Sequence, residues 1–285
     1  MRDEVVAANG LANVPAEPGA AKPDPMLVVD NVTRSFGGLH AVNVGHLELQ
    51  RGAITALIGP NGAGKTTLFN VLTGFDRAGS GKWTFDGTSM SGLSAHRVAR
   101  RGMVRTFQLT KALARLTVLE NLLLGATEQR GERMFAALVR PLWRGQEAEN
   151  RLRADELLER FQLSHVRGAH AGTLSGGQRK LLELARALMV RPAMLMLDEP
   201  MAGVNPALAQ SLLHHITELR DEGTTVCFVE HDMDMVMGTS DWVVCLAEGE
   251  IIAEGPPSSC GSNPAVIDAY LGKEHGHPPT EEQMP

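Results

Sequence analysis

Three scarcities narrow what this chain of 285 residues can be. Cysteine is rare: there are three, Cys227, Cys245 and Cys260. The first two sit inside the apolar runs TTVCFVE and DWVVCLAE. An odd count at wide spacing fits neither a disulfide framework nor a zinc site. It reads as two buried small hydrophobes and a loop thiol, in a reducing, cytosolic compartment. Long apolar runs are missing, and without a stretch of about eighteen uncharged apolar residues the chain does not span a membrane by itself. A basic excess is missing too: the net charge is −6, which argues against a dedicated nucleic-acid binder. The N-terminus MRDEVVAANGLANVPAEPGAAKPDP has no apolar core of a secretory signal. Its Ala/Pro/Gly content predicts a flexible leader over residues 1–25, and residues 273–285 read as a similar tail. His275 and His277 in that tail lack further ligands and read as solvated residues rather than a metal site. There is no repeat of solenoid length.

The apolar and charged fractions, 43% and 21%, are those of a globular chain large enough for one big domain or two small ones. From Met26, MLVVDNVTRSFGG and AVNVGHLELQRG alternate apolar and polar residues, as a half-buried antiparallel sheet does. AITALIG is a continuous apolar run, suited to a buried strand. KTTLFNVLTGF then spaces Leu68, Phe69, Val71 and Leu72 for a helix, with Gly74 as its stop. GKWTFDGTSM returns to strand and turn. Residues 109–172 form a Leu/Ala/Glu/Arg-rich helical block. After it come helix QRKLLELARALM, strand AMLMLD, helix NPALAQSLLHHITELRDEG and strand TTVCFVEH. That alternation predicts a parallel sheet covered by helices. DWVVCLAEGEIIAEGPP reads as a hairpin around Gly249. The expected architecture is an α/β nucleotide-binding core over residues 26–272, with a β-rich entry section and an inserted helical subdomain.

Gly59-Pro60-Asn61-Gly62-Ala63-Gly64-Lys65-Thr66, followed by Thr67, matches the phosphate-loop pattern in full, between a strand and a helix. Its glycines let backbone N–H groups wrap a phosphate, and the helix N-terminus adds partial positive charge. Lys65 reaches the β- and γ-phosphates of a nucleotide, and the Thr66 hydroxyl ligates Mg²⁺. MLMLDEP brings Asp198 to a buried strand tip, where α/β sheets bind ligands. There it is placed to hold the Mg²⁺ shell, with Glu199 next to it to polarise a water. His231, at the end of the TTVCFVEH strand, points to a γ-phosphate contact. TLSGGQRKLLELARALM poses a question of its own. Ser175, Gly176, Gly177 and Gln178 open a helix as an anion site would, yet one triphosphate needs one cradle. This second cradle serves either a second ligand or a second chain. Gln108 in VRTFQLT and Phe36 in RSFGG say nothing by themselves.

The set GPNGAGKTT, FQ, LSGGQ, LMLDEP and EHD, in this order, resembles the ATP-binding cassette family over about residues 27–272. The resemblance implies a P-loop NTPase fold with an antiparallel β-subdomain and a helical subdomain, ATP and Mg²⁺ as cofactors, and roles for the silent residues. Phe36 matches the adenine-stacking position, where tyrosine is commoner. Gln108 matches the glutamine that senses Mg²⁺ and water, Glu199 the general base and His231 the switch histidine. Ser175, Gly176, Gly177 and Gln178 match the signature loop, which caps the γ-phosphate held by a partner cassette. The two cradles then belong to two different composite sites. Asn205 in MAGVNP replaces a common aspartate, which puts a carboxylate role there in doubt.

MAGVNP, TFQLTKALARLTVLENLLLGA and the ending NPAVIDAYLG resemble the branched-chain amino acid importer ATPases. Urea or amide importers and a lipopolysaccharide-export ATPase are similar as well. The implied partners are polytopic permease subunits, a second cassette and, indirectly, a solute-binding protein. The implied place is the cytoplasmic face of the cell membrane, as a peripheral subunit. The soluble cassettes of DNA repair, chromosome organisation or translation form the rival class. They carry coiled-coil arms, zinc modules or tandem cassettes, which this sequence does not display. In the insert TEQRGERMFAALVRPLWRGQEAEN, Met134, Phe135, Leu138, Val139, Leu142 and Trp143 interleave with arginines. The pattern suits a helix packed on its own subdomain, ahead of one touching a permease or lipid.

Overall fold

A computed structural model describes residues 10–106, 114–126 and 141–271. The chain divides into two compact units. Met1–Leu93 and Cys227–Pro285 form the first, Ser94–Val226 the second.

In the first unit, β1 (Pro25–Phe36) and β2 (Leu39–Gln50) form an antiparallel hairpin closed by Gly37 and Gly38, with Phe36 opposite Leu39. Leu27 and Val29 of β1 are buried at the expected spacing of two, but Val32 follows at three, because the ladder shifts between Asp30 and Thr33 and Asn31 has φ 50°. β4 (Ser80–Phe85) pairs with the other edge of β1, and β5 (Thr88–Ser89) with β4. Asp86 and Gly87 turn that corner with φ 48° and 68°, as a two-residue hairpin on a twisted sheet requires. β3 (Ile54–Ile58) is buried at every position and runs parallel to β9 (Trp242–Ala247). Such unbroken apolar strands are what a sheet covered on both faces needs. β9 folds back into β10 (Glu250–Gly255) through Glu248 and Gly249, as expected. Helix α1 (Lys65–Leu72) buries Leu68, Phe69, Val71 and Leu72. It stops at Gly74, whose φ of 75° and N–H to the Val71 carbonyl close the helix end.

The expected flexible leader does not hold for residues 10–24. Leu11 is fully buried in a 3₁₀ turn, Leu11–Asn13. The Lys22 ammonium bonds Glu254 at 3.1 Å and lies 4.5 Å from the Trp242 ring centre. The Glu254 carboxylate also accepts the Ala20 N–H at 2.8 Å. Composition misled here because two anchors, one apolar and one ionic, are enough to tie a short Pro-rich strap to a finished core.

In the second unit, α2 (Ala95–Arg100) leads into β6 (Met103–Arg105), which pairs parallel with β7 (Met194–Asp198). The described part of the 109–172 block holds α3 (Val118–Leu123), α4 (Pro141–Arg160) and two 3₁₀ turns. A Thr117–Glu120 capping box starts α3. Ala154, Leu157, Leu158 and Phe161 are buried at helical spacing. α3 packs on α4 and on α5 (Gly176–Leu188). A Cβ on Gly125 would lie 2.4 Å from the Arg186 carbonyl, so the close approach after α3 needs glycine. α6 (Pro206–Asp221) buries Ala209, Leu212, Ile216 and Leu219. The boundary between the units falls within β8 (Thr225–Val229), which leads to α7 (Met233–Thr239). α8 (Pro257–Gly261) and α9 (Pro264–Leu271) close the described chain. Residues 127–140, which hold most of the basic amphipathic stretch, and residues 272–285 lie outside the described residues.

Candidate functional site

In the first unit the site begins where β3 ends. Gly59, Gly62 and Gly64 have φ of 145°, 80° and 98°, a region that disfavours side chains. Space forbids side chains at two of them. A Cβ on Gly59 would sit 2.0 Å from the Leu246 carbonyl oxygen, and one on Gly64 2.1 Å from that of Ala41. The hairpin tip braces the loop, because Gly249 N–H donates to the Ala63 carbonyl at 3.0 Å. Lys65 opens α1 and is buried. Its ammonium donates to the Gly59 carbonyl at 2.6 Å and to that of Pro60 at 3.0 Å. Thr66 is exposed and Thr67 half-buried, both in the first turn, where helical N–H groups have no intrahelical acceptor. An ammonium, glycine turns and a helix N-terminus form a donor set suited to a triphosphate.

Phe36 stands at the end of β1 with 49% of its surface exposed. The ladder puts it beside the stretch of β2 whose Ala41 lies against Gly64. The Arg34 guanidinium lies 4.4 Å from the Phe36 ring centre and bonds Asp76 at 2.9 Å. Arg34 and Phe36 share a strand face by their spacing of two, a signal the sequence carried without pointing to a role. His231 departs from the expectation that it ends a strand. β8 stops at Val229, and the His231 side chain is 65% exposed, 3.8 Å from the buried Glu230 carboxylate. The strand shields Glu230 and releases His231 into the turn before α7, which Asp232 caps.

In the second unit, Asp198 ends β7 as expected, half-buried after four buried residues. Arg105 of β6 bonds one of its oxygens at 2.6 Å. This partner was not read from the sequence, although Arg105 sits in the quoted VRTFQLT. Glu199 follows with φ 45°, a left-handed conformation uncommon outside glycine and concentrated at functional sites. Its carbonyl accepts the Ala202 N–H at 3.1 Å and the Lys180 ammonium at 3.4 Å. Asn205 caps α6 by accepting the Leu208 N–H at 2.9 Å. Asparagine does this as well as aspartate, so the departure from the common pattern keeps the helix start. Gln108 lies outside the described residues.

Ser175 caps α5 in a reciprocal box with Gln178. The serine hydroxyl accepts the Gln178 N–H at 3.2 Å, and the Ser175 N–H donates to the glutamine carbonyl at 3.0 Å. The two glycines between differ. A Cβ on Gly177 would press within 2.4 Å of Leu208, whereas nothing lies within 4 Å of one on Gly176. Ser175 and Gly176 are exposed.

Residues 42–202 match the family described as ABC transporter, and residues 250–276 match that described as branched-chain amino acid ATP-binding cassette transporter. The chain is 43% identical over 251 residues to the high-affinity branched-chain amino acid transport ATP-binding protein BraF of Pseudomonas aeruginosa, covering 87% of this chain and 98% of that one. The figures are the same for the high-affinity branched-chain amino acid transport ATP-binding protein LivG of Salmonella typhimurium. Among solved structures, the ADP conformation of an ATP-binding cassette of an ABC transporter superposes with a TM-score of 0.77 at 38% identity. That match covers 87% of this chain and 99% of the other.

Proposed function

Since the chain belongs to the ABC transporter family, as an ATPase of mixed α/β fold, we propose that it is the ATP-hydrolysing subunit of a branched-chain amino acid importer. The observation that carries the ATPase part is the loop itself. Lys65 donates to the carbonyls of Gly59 and Pro60 beneath the first turn of α1, a grip that phosphate oxygens would take over. The cargo rests on the match over residues 250–276 and on the printed roles of BraF and LivG. No helix among the described residues is long and apolar enough to cross a membrane, so the transport path belongs to separate permease subunits. The chain then works as a peripheral subunit on the cytoplasmic face of the cell membrane.

In this reading Gly59, Pro60, Asn61, Gly62, Ala63, Gly64, Lys65, Thr66 and Thr67 cradle the triphosphate, and Phe36 stacks on the adenine, backed by Arg34. Glu199 takes the proton of the attacking water, and His231 and Gln108 contact the γ-phosphate region. No cluster of three His, Cys, Asp or Glu suited to a metal exists among the described residues, which fits Mg²⁺, an ion held largely by substrate phosphates and water. Thr66, Gln108 and an oxygen of Asp198 would hold it. When bound it neutralises charge between the β- and γ-phosphates. Arg105 orients the Asp198 carboxylate through its 2.6 Å bond. Ser175, Gly176, Gly177 and Gln178 serve a second cassette. Gly176 supports this, because among the described residues nothing lies within 4 Å of a Cβ built on it.

Proteoliposomes that combine this chain with co-purified permease subunits, supplied with a solute-binding protein, test the cargo. ATP-driven leucine uptake supports the reading. Uptake of urea alone, extraction of lipopolysaccharide, or purification with ribosomes or DNA instead of permeases would replace it.

A further inference from the structure

The chain has one tyrosine, Tyr270, on α9 at the end of the described residues. Its hydroxyl oxygen accepts the N–H of Gly59 at 2.9 Å, across 211 residues of sequence. Gly59 is the first residue of the phosphate loop, and no side chain fits on it: a Cβ would lie 2.0 Å from the Leu246 carbonyl oxygen. The same residue is held from its other end, since the Gly59 carbonyl accepts the Lys65 ammonium at 2.6 Å. Tyr270 therefore grips the amide of a residue whose carbonyl is gripped by the lysine that reaches for phosphate.

These two grips respond differently to a nucleotide. A lysine has three donors on a flexible stem, and when it turns to a phosphate oxygen it can leave the Gly59 carbonyl. The tyrosine is a rigid lever with two side-chain torsions, seated on a helix, and its bond does not compete with phosphate. We propose that Tyr270 is a positioning residue of the phosphate loop: its hydroxyl fixes the Gly59 amide while Lys65 exchanges loop carbonyls for phosphate, and so couples α9 to occupancy of the nucleotide site. This goes beyond the transport reading and does not depend on the cargo. It makes α9, within the segment 250–276 matched separately from the ATPase core, a part of the nucleotide site.

Tyr270→Phe keeps the ring and removes the acceptor, leaving the Gly59 N–H without its partner. Such a loss raises the KM for ATP about tenfold, more than it lowers kcat. A role limited to holding the fold would lower the thermal midpoint and leave KM where it was, and that result would overturn the proposal. A second measurement needs no substitution at Tyr270. With tyrosine labelled by ¹³C at Cζ, the protein gives one resonance. It shifts on addition of Mg-ADP, and it does not shift in Lys65→Ala. A resonance that ignores the nucleotide in the unsubstituted protein equally overturns the coupling.

Discussion

Arg105 and Asp198 illustrate how a single contact sets the chemistry of a strand tip. Both side chains are nearly buried, 7% and 11% exposed. Removing one partner of a buried ion pair costs about 3–5 kcal/mol, because the other charge stays behind. Arg105→Met should therefore lower unfolding stability by about 3 kcal/mol in a denaturant titration, and Arg105→Lys should recover part of it. A loss within error would mean that Asp198 is solvated. The cysteines make a second test at this scale. Burial pushes the thiols of Cys227 and Cys245 up to about 12 and that of Cys260 to about 11, from 9.0. A raised folded value means a protonated thiol until the pH passes it, so at pH 8 the reactive thiolate is suppressed by burial in all three. Iodoacetamide should label none of them in the folded protein and all three in denaturant, as mass spectrometry would count. The phosphate loop was legible residue by residue because its function depends on local spacing. Arg105 was not, because its partner is 93 positions away and an arginine in a short strand announces no partner.

The N-terminal strap is the element that composition misjudged. An Ala/Pro/Gly-rich segment forms few local hydrogen bonds, so nothing in its own pattern shows that it is anchored. The anchor is the pair Lys22–Glu254, with side chains 1% and 0% exposed. Lys22→Met should lower the thermal midpoint by several degrees, a loss of about 3 kcal/mol, while leaving ATP binding at the loop intact. An unchanged midpoint would return the segment to a loose leader. The unbroken apolar strands β3 and β9 and the periodic helix α1 emerged where the sequence put them. The departure at His231 came from a strand end, where pairing stops with the last apolar residue, Val229, and does not run on through Glu230. At α6 the Asn205 side chain caps the helix start as an aspartate would. Asn205→Ala should cost about 1 kcal/mol in the same titration.

At the scale of the whole molecule, the chain presents two glycine-containing helix starts read as phosphate cradles, one in each unit. The loop of the first unit has its lysine, glycines and helix start within nine residues, whereas the signature of the second has an exposed Ser175 and an uncrowded Gly176. A chain built this way should be a weak ATPase alone and a strong one when a second cassette brings its own loop to the signature. Ser175→Arg should abolish turnover in the assembled complex and leave ATP binding at the chain's own loop in place. In this reading Glu199, held in its left-handed turn, is the base for hydrolysis. The most direct measurement is ATP turnover by the assembled complex carrying Glu199→Gln, alongside ATP binding by the same variant. The expected result is a fall in turnover of about a hundredfold or more with binding retained. Turnover equal to that of the unsubstituted complex would contradict the account.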